Sequence, residues 1–336
     1  MTRHPREYGV LLPHFGSYTS RARILDSARV IERYGFDSVW VRDHIVYHPH
    51  EHEDQDRTHV DPFIVLGAIA SITDRITLAT GTLITHRHPI LAALMLGSLD
   101  FMAGPGRILA GWGMGTYDHE FEAIETAHWD RRKLIGEQIA IVRKLWTGEP
   151  VTFHGEFYNF ENVDIHPVPG DSHAIPIWYG GMSMASARRA VEYCDGWIPG
   201  RMPIRDFRAR VERMEKLAAE AGKPVPTTGT IPYVVPARTV EEGIKYVDMP
   251  RLIDELTRTY ELPASGAFRT LGDADGAVVA GPPDVLIEAV RRYQEAGVKH
   301  YVFDMRPRYA DFEECLAIIG EQVLPVLHRE DGRVNA

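Results

Sequence analysis

The stretch Ile175-Pro-Ile-Trp-Tyr-Gly-Gly-Met-Ser-Met-Ala-Ser-Ala-Arg-Arg-Ala190 joins a short apolar run to paired glycines and then to a segment of helical period. An apolar strand that runs through glycines directly into a helix is typical of a βα unit. Gly180 and Gly181 let the backbone come close to a ligand, and Ser183 is in position to cap the helix. Free amides and the helix dipole would meet there, which predicts a site for a phosphate. A tight turn without a ligand is the alternative for a glycine pair taken alone.

The same order of a short apolar strand and a longer helical segment recurs along the whole chain. The predicted strands are 8–13, 38–43, 76–82, 108–114, 175–181, 196–201, 227–235 and 300–305. Helical periods fall near 20–34, 62–73, 89–102, 119–147, 183–194, 204–221, 282–297 and 311–327. Eight such repeats predict an α/β fold, the (β/α)8 TIM barrel, which needs about 250 residues. The surplus in this single domain of 336 residues is expected as insertions near 148–174, after strand 4, and near 236–281, after strand 7.

Composition narrows the classes of function. The chain has 47 acidic and 37 basic residues, a formal net charge of −10 and no basic run, which argues against nucleic-acid and membrane partners. A small molecule is the expected ligand. The two cysteines, Cys194 and Cys315, lie far apart and support neither a disulfide nor a thiolate metal site. Since neither a signal sequence nor a long apolar run is found, a cytoplasmic location is expected.

Polar residues and glycines gather where the predicted strands end. In a TIM barrel the active site lies at these carboxyl ends. The segments concerned are Pro13-His14-Phe15-Gly16, Arg42-Asp43-His44, Thr80-Gly81-Thr82, Gly111-Trp-Gly-Met-Gly115-Thr116, Tyr179-Gly180-Gly181, Gly200-Arg201 and Asp304-Met-Arg306. Each segment taken singly is more often a cap or a turn, but together on one rim they predict a ligand site.

The chain resembles the bacterial luciferase-like flavin-dependent oxidoreductases. The segments that carry the resemblance are Gly9-Val-Leu-Leu-Pro13, Gly35-Phe-Asp-Ser-Val-Trp-Val-Arg-Asp-His44, Ala79-Thr-Gly-Thr82, Gly111-Trp-Gly-Met-Gly115 with Glu120-Phe121, Pro176-Ile-Trp-Tyr-Gly-Gly181 and Asp195-Gly-Trp-Ile-Pro199. The resemblance covers most of the chain. It implies a TIM barrel, a flavin or 5-deazaflavin bound across the strand ends, hydride or oxygen chemistry on a small organic substrate, and a homodimer.

The resemblance also implies roles for particular residues. Asp43 and His44 match the family's second-strand Asp-His, whose imidazole faces the cofactor ring or the substrate, so both are candidate catalytic residues. The alternative is a structural histidine oriented by Asp43. Thr82 and Leu83 match a bulge that carries a cis non-prolyl peptide behind the ring, and both are candidate cofactor ligands. The alternative there is an ordinary trans strand end.

Further candidates lie on the same rim. The residues that match the family's phosphate cradle are Gly180, Gly181, Met182 and Ser183. The substrate-pocket candidates are His14, Trp112, Thr116, Tyr179, Arg201 and Arg306. The aromatic members would line an apolar pocket, and the arginines would hold a phosphate or carboxylate. Their alternatives are core packing and surface salt bridges.

One residue departs from the family pattern. Deazaflavin-dependent dehydrogenases of the family often carry a glutamate after the fourth-strand Gly-x-Gly, and this chain has Thr116 there. Because a threonine hydroxyl cannot act as a carboxylic acid, His44, Tyr117 and Asp118 become the candidate proton donors. Glu120 is expected to begin the next helix, where its charge suits the dipole.

The cofactor is predicted to be coenzyme F420 or FMN. The segments Leu12-Pro-His-Phe-Gly16 and Trp40-Val-Arg-Asp-His44 favour coenzyme F420, whereas Thr116 weakens that preference. Coenzyme F420 implies hydride transfer, and reduced FMN implies oxygenation under a closed lid.

Two other motifs lead to different functions. The glycines at 111, 113 and 115 lack the G-x-G-x-x-G spacing of a dinucleotide site. The segment from His44 to His59 also contains His48, His50 and His52 among acidic residues, but its spacing fits no defined zinc or iron site. It is expected to form a solvated lid without a metal. A metal-dependent hydrolase and a flavin-binding protein without turnover are the alternative functions.

Overall fold

A ring of parallel strands forms the centre of the molecule. The computed structural model describes residues 6–46, 56–170 and 174–333. The strands within these ranges are β1 (Glu7–Leu11), β2 (Ser38–Val41), β3 (Thr77–Thr80), β4 (Leu83–Ile84), β5 (Ile108–Gly113), β6 (Val151–His154), β7 (Asn159–Val163), β8 (Ile177–Gly180), β9 (Gly196–Trp197), β10 (Thr227–Thr230), β11 (Tyr233–Pro236), β12 (Val278–Gly281) and β13 (His300–Phe303). Eight of them pair in parallel in the order β3-β2-β1-β13-β10-β9-β8-β5, and β3 pairs with β5 to close the ring. The predicted eight-stranded barrel is confirmed.

Helices surround the barrel. They are α1 (Arg21–Tyr34), α2 (Pro62–Ala70), α3 (Pro89–Ala103), α4 (Asp118–Ala123), α5 (Arg131–Leu145), α6 (Met184–Tyr193), α7 (Ile204–Ala221), α8 (Val240–Ile244), α9 (Met249–Thr259), α10 (Leu271–Ala274), α11 (Pro283–Glu295), α12 (Phe312–Ile318) and α13 (Leu324–Glu330). A 3-10 turn (Arg306–Asp311) precedes α12, and a π-helical turn (Ile319–Val323) joins α12 to α13. In the described parts of the chain, no helix is long and apolar enough to cross a membrane.

Aromatic side chains fill the barrel below the site. Trp40 and Trp178 lie with ring centroids 6.2 Å apart, and the imidazole of His300 meets both rings edge-on. The Trp40 indole donates to Ser38 Oγ at 2.8 Å. A Cβ on Gly9 would lie 2.3 Å from that hydroxyl, so only glycine fits there. This packing fills the interior of the barrel with buried side chains.

Two predicted elements differ in the structure, and one strand was not predicted. The strand predicted at 227–235 is two strands, β10 and β11, since Pro232 lies between them and has no amide to donate. β11 pairs with β12, a strand that sequence analysis missed because Gly276-Ala-Val-Val-Ala-Gly281 reads as a glycine- and alanine-rich connection. The helix predicted at 119–147 is interrupted, because Glu125 takes a positive φ of 63° and Asp130 starts a new helix as its N-cap.

The two segments expected as insertions have their own elements. The first, 148–174, contains the antiparallel hairpin β6–β7, and its residues 171–173 lie outside the described parts. The second, 236–281, contains α8, α9, α10 and β12. Helix α9 brings Glu255 to the wall of the cavity.

Candidate active site

A cavity of about 370 Å³ opens at the carboxyl ends of the barrel strands. Its size is within the range of small-molecule sites. The residues that line it are Arg42, Asp43, His44, Gly81, Thr82, Ile84, Gly113, Met114, Gly115, Thr116, Gly180, Gly181, Met182, Ile198, Gly200, Arg201, Ile231 and Glu255. The structure thus brings together the second, third, fourth, fifth and sixth predicted strand ends.

One wall of the cavity is a bulge after β3. The peptide between Gly81 and Thr82 is cis, and the chain then re-enters the sheet as β4, where Leu83 pairs with Trp112. The cis peptide that the family resemblance implies is therefore present. Thr82 lines the cavity, whereas the Leu83 side chain is fully buried in the core. Leu83, predicted as a cofactor ligand, contributes only its position in the sheet.

The position of the Thr82 side chain explains why residues 113 and 180 are glycines. A Cβ on Gly113 would lie 2.4 Å from Thr82 Oγ1, and a Cβ on Gly180 would lie 2.5 Å from Thr82 Cγ2. Gly180 was predicted to make room for a ligand, but its missing side chain makes room for Thr82. Gly200 is different, because a Cβ there would meet only the Met182 sulfur at 4.0 Å. Gly200 leaves space that a cofactor can use.

Asp43 holds the bulge in place. Its fully buried carboxylate accepts from the Ile84 amide at 3.0 Å and from Arg87 Nε and Nη2 at 2.7 and 2.6 Å. Arg87 also donates to Asp61 at 2.7 Å. A carboxylate whose oxygens are both engaged by a guanidinium and an amide is not placed to exchange protons with a ligand. The structure favours a supporting role for Asp43 over the predicted catalytic one.

His44 lies between a carboxylate and a guanidinium. Its Nδ1 is 3.2 Å from both carboxylate oxygens of Glu120, and Arg42 Nη2 lies 3.3 Å from its Nε2. Arginine can only donate, so Nε2 must accept, and the proton belongs on Nδ1, facing Glu120. This assigns one neutral tautomer of His44, with a basic lone pair on Nε2.

Glu120 is the functional residue that sequence analysis missed. It lies in the first turn of α4, as expected, but its side chain is fully buried and does not serve the helix dipole at the surface. It also accepts from the Ile45 amide at 3.0 Å. Burial alone would raise the pKa of Glu120, but the hydrogen bonds from His44 and Ile45 lower it overall. Glu120 is therefore ionised at neutral pH. The Glu-Phe pair that contributed to the family resemblance was the only signal in the sequence.

The two other candidate proton donors, Tyr117 and Asp118, occupy different positions. Tyr117 has its ring centroid 5.6 Å from that of His44, and Thr116 lines the cavity. Asp118 is exposed and pairs with Arg131. Asp118 therefore points away from the cavity, and His44 is the proton carrier that the geometry favours.

The start of α6 offers a place for an anion. Ser183 is the N-cap residue, yet its hydroxyl makes no capping hydrogen bond and lies 3.1 Å from Ser186 Oγ. The Trp197 indole donates to the Gly181 carbonyl at 2.9 Å, and Arg210 donates to the Met182 carbonyl at 2.7 Å. These bonds satisfy the carbonyls of Gly181 and Met182 within the protein. An uncapped ten-residue helix beside the cavity is suited to a phosphate.

Two arginines lie on the far side of the cavity. Arg201 Nη2 donates to Glu255 at 2.6 and 2.8 Å, and its guanidinium lies 4.3 Å over the Tyr233 ring. Arg306 lies 5.4 Å from the same ring and pairs with Asp304 at 2.8 Å. Both were predicted as anion ligands, and both are held by carboxylates.

Besides Arg306, three predicted pocket residues do not line the cavity. His14 is fully buried, and its Nδ1 lies 3.1 Å from the Val60 carbonyl while Nε2 accepts from the Arg42 amide at 2.8 Å. Burial, followed by the nearby His59, lowers the pKa of His14 well below its ordinary value. Trp112 donates to Gln138 at 3.2 Å within the core, and Tyr179 is fully buried. Trp112 and Tyr179 lie on strands, where side chains alternate between the two faces, and both side chains pack in the core.

The histidine-rich segment lies only partly within the residues that the structure describes. His48, His50 and His52 lie outside the described residues. Among the residues that the structure does describe, no group of three or more histidine, cysteine, aspartate or glutamate side chains is arranged to hold a metal ion. His59 contacts His44 and His14 ring to ring, at centroid distances of 5.5 and 5.0 Å.

Comparison with known proteins identifies the family. Residues 7–300 match the model of the luciferase-like monooxygenase family. An F420-dependent glucose-6-phosphate dehydrogenase of Nakamurella multipartita is 30% identical, over 91% of this chain and 92% of that protein. An F420-dependent secondary alcohol dehydrogenase, solved with an F420-acetone adduct, has a TM-score of 0.75 at 20% identity, over 96% of this chain and 99% of that one. The oxygenating constituent of 3,6-diketocamphane monooxygenase from Pseudomonas putida, solved with FMN, has a TM-score of 0.75 at 22% identity, over 95% of this chain and 98% of that one. The chain belongs to the luciferase-like monooxygenase family.

Proposed function

We propose that this protein is a coenzyme F420-dependent oxidoreductase that transfers a hydride to or from a carbon bearing a hydroxyl or carbonyl group in a small organic substrate. The observation that carries the proposal is the imidazole of His44, which lines the cavity and whose tautomer is set by Glu120 on one side and Arg42 on the other. Similarity to an F420-dependent dehydrogenase over nine-tenths of the chain supports the choice of cofactor.

The residues present fit such a cofactor. The bulge at Thr82 and the open space above Gly200 provide a surface for a flat ring system, and the uncapped start of α6 provides amides for a phosphate. When bound, a 5-deazaflavin supplies a ring carbon that exchanges a hydride with the substrate. Position, exclusion of water and proton transfer must come from the protein.

His44 performs the proton transfer in this scheme. In the oxidation direction the substrate hydroxyl takes the place of Arg42 as the donor to Nε2, and its proton moves to that nitrogen as the hydride leaves the carbon. The resulting imidazolium is stabilised by the carboxylate of Glu120. Arg42 lies beside the substrate oxygen and stabilises its developing negative charge. The reverse sequence reduces a carbonyl.

Glu120 provides a carboxylate near His44 although Thr116 stands where related dehydrogenases carry a glutamate. The carboxylate expected directly after the fourth-strand glycines is missing, but Glu120, one turn further along, places a carboxylate against His44. Dehydrogenase chemistry then needs no carboxylic acid in the cavity, because the imidazole carries the proton.

Paired fluorescence titrations with coenzyme F420 and FMN test the proposal. Coenzyme F420 is expected to bind at least tenfold more tightly and to change colour with a neutral secondary alcohol. The variant His44→Ala should keep that affinity and lose activity by about 10²- to 10⁴-fold. Tighter binding of FMN together with oxygen consumption would show that the protein catalyses oxygenation and not hydride transfer. Binding without turnover would leave a flavin-binding protein, and binding of neither cofactor would refute the proposal.

The remaining expectations have two sources. A homodimer is proposed from the family resemblance, whereas a cytoplasmic location and a single domain with insertions at 148–174 and 236–281 are proposed from the sequence pattern and the chain length. Size-exclusion chromatography with light scattering measures the first of these.

A further inference from the structure

Arg201 lines the cavity and contacts helix α9. Its Nη2 donates to both carboxylate oxygens of Glu255, at 2.6 and 2.8 Å. The two side chains are only 17% and 16% exposed, so water screens the pair weakly. An arginine that is held by a carboxylate in this way has little net charge to offer a second anion.

Glu255 is fixed in place from outside the barrel. It lies on α9, between the buried side chains of Leu252 and Leu256, which anchor the helix in the core. Tyr260 follows α9 and donates its hydroxyl to the Arg201 carbonyl at 2.6 Å. Both the helix and the residue after it are held against the rest of the protein, which keeps the Glu255 backbone next to Arg201.

The neighbouring positive charges are balanced as well. Arg306 pairs with Asp304 at 2.8 Å. Arg42 contacts one nitrogen of the His44 ring, and the carboxylate of Glu120 faces the other. Within the described residues, Arg201 and Arg306 therefore each pair with a carboxylate, whereas Arg42 contacts the His44 ring.

We propose that the end of the substrate next to Arg201 is uncharged, and that Glu255 is the residue that excludes an anionic group from this position. A phosphate or carboxylate at Arg201 would lie beside the Glu255 carboxylate and be repelled by it. A hydroxyl group is not repelled and can donate to Glu255. The inference rests on the proposed function, because it names the substrate class of the same cavity. It separates this chain from the relatives named for glucose 6-phosphate.

Calorimetric titration with inorganic phosphate and with glucose 6-phosphate tests the role of Glu255 without turnover. Glu255→Gln keeps the shape of the side chain and removes its charge, so it is expected to bind both anions at least tenfold more tightly than the wild type. Adding Arg201→Ala to that variant should remove the gain, which separates this position from phosphate bound at α6. The control Glu242→Gln removes an equal charge from an exposed pair with Arg238 and should leave both affinities unchanged.

A second measurement needs no variant. The wild type loaded with cofactor is expected to oxidise neutral secondary alcohols and to turn over glucose 6-phosphate at least a hundredfold less efficiently. Comparable turnover of the two would overturn the proposal, as would equal anion affinity of the wild type and a folded Glu255→Gln variant. Failure to bind either cofactor would refute the proposed function instead, and the anion titration would still measure the effect of Glu255.

Discussion

Replacing Glu120 by glutamine is expected to slow turnover and leave cofactor binding intact. Both oxygens of the buried carboxylate lie 3.2 Å from His44 Nδ1. A hydrogen bond to a charged group contributes about 1.5–3 kcal/mol. Because about 1.4 kcal/mol corresponds to a tenfold change in rate, the loss of this bond predicts a fall in kcat of about 10- to 150-fold. A glutamine amide can also donate to Nδ1, which would move the imidazole proton to Nε2 and leave no base facing the substrate.

The assay is the initial rate of cofactor reduction with a saturating neutral alcohol, together with the cofactor affinity of each variant. The matched control is Glu122→Gln, which removes an exposed carboxylate from the same short helix and should leave kcat within twofold of the wild type. Nitrogen NMR of the His44 ring reports the tautomer directly. If folded Glu120→Gln kept kcat within twofold and the ring proton on Nδ1, the assigned role of Glu120 would be wrong.

Three other changes test the architecture of the site. Asp43→Asn should lower the free energy of unfolding by about 3 kcal/mol, since it leaves Arg87 partly unpaired, while the activity per folded molecule changes less than tenfold; denaturant titration and active-site counting check this. Gly200→Val should fill open cavity space and weaken cofactor binding at least tenfold with no change in Tm, and unchanged affinity would contradict the proposed ring position. Burial, followed by the charge of Arg42, lowers the pKa of His59 to about 3 from an ordinary 6.5. The unfolded chain therefore takes up a proton at His59 that the folded chain does not, so the contribution of His59 to stability is full well above pH 6.5 and falls by about 2 kcal/mol by pH 5; urea titrations of the wild type and of His59→Gln at several pH values would show this difference.

The barrel could be predicted because each βα unit carries its own local signals. In the first unit, Ser20 caps α1 with a bond to the Arg23 amide, and Gly35 ends it with a positive φ of 84° before β2 begins. Such features depend on residues that are close together in the sequence, so they can be recognised from the sequence alone. The pairing of β11 with β12 depends on residues more than forty positions apart, and hydrophobic patterning does not report it.

The sequence predicted which strand ends surround the candidate site, but it did not predict the contacts between their side chains. The Asp-His pair was found, but the roles within it are decided by distant partners. Arg87 occupies Asp43, and Glu120 orients His44. The direction of the Glu120 side chain depends on the turn that begins α4, and an acidic residue in a first turn has the same sequence signature whether it faces solvent or the core.

The chemistry of the rim is set by carboxylates that act on residues of other loops. Asp43 fixes the bulge that carries Thr82, Glu120 fixes the imidazole, and Glu255 neutralises Arg201. The three acids belong to three different connections of the barrel. If the proposed function holds, fold stability, proton transfer and substrate choice depend mainly on different carboxylates, which fits a barrel geometry shared by relatives with different substrates.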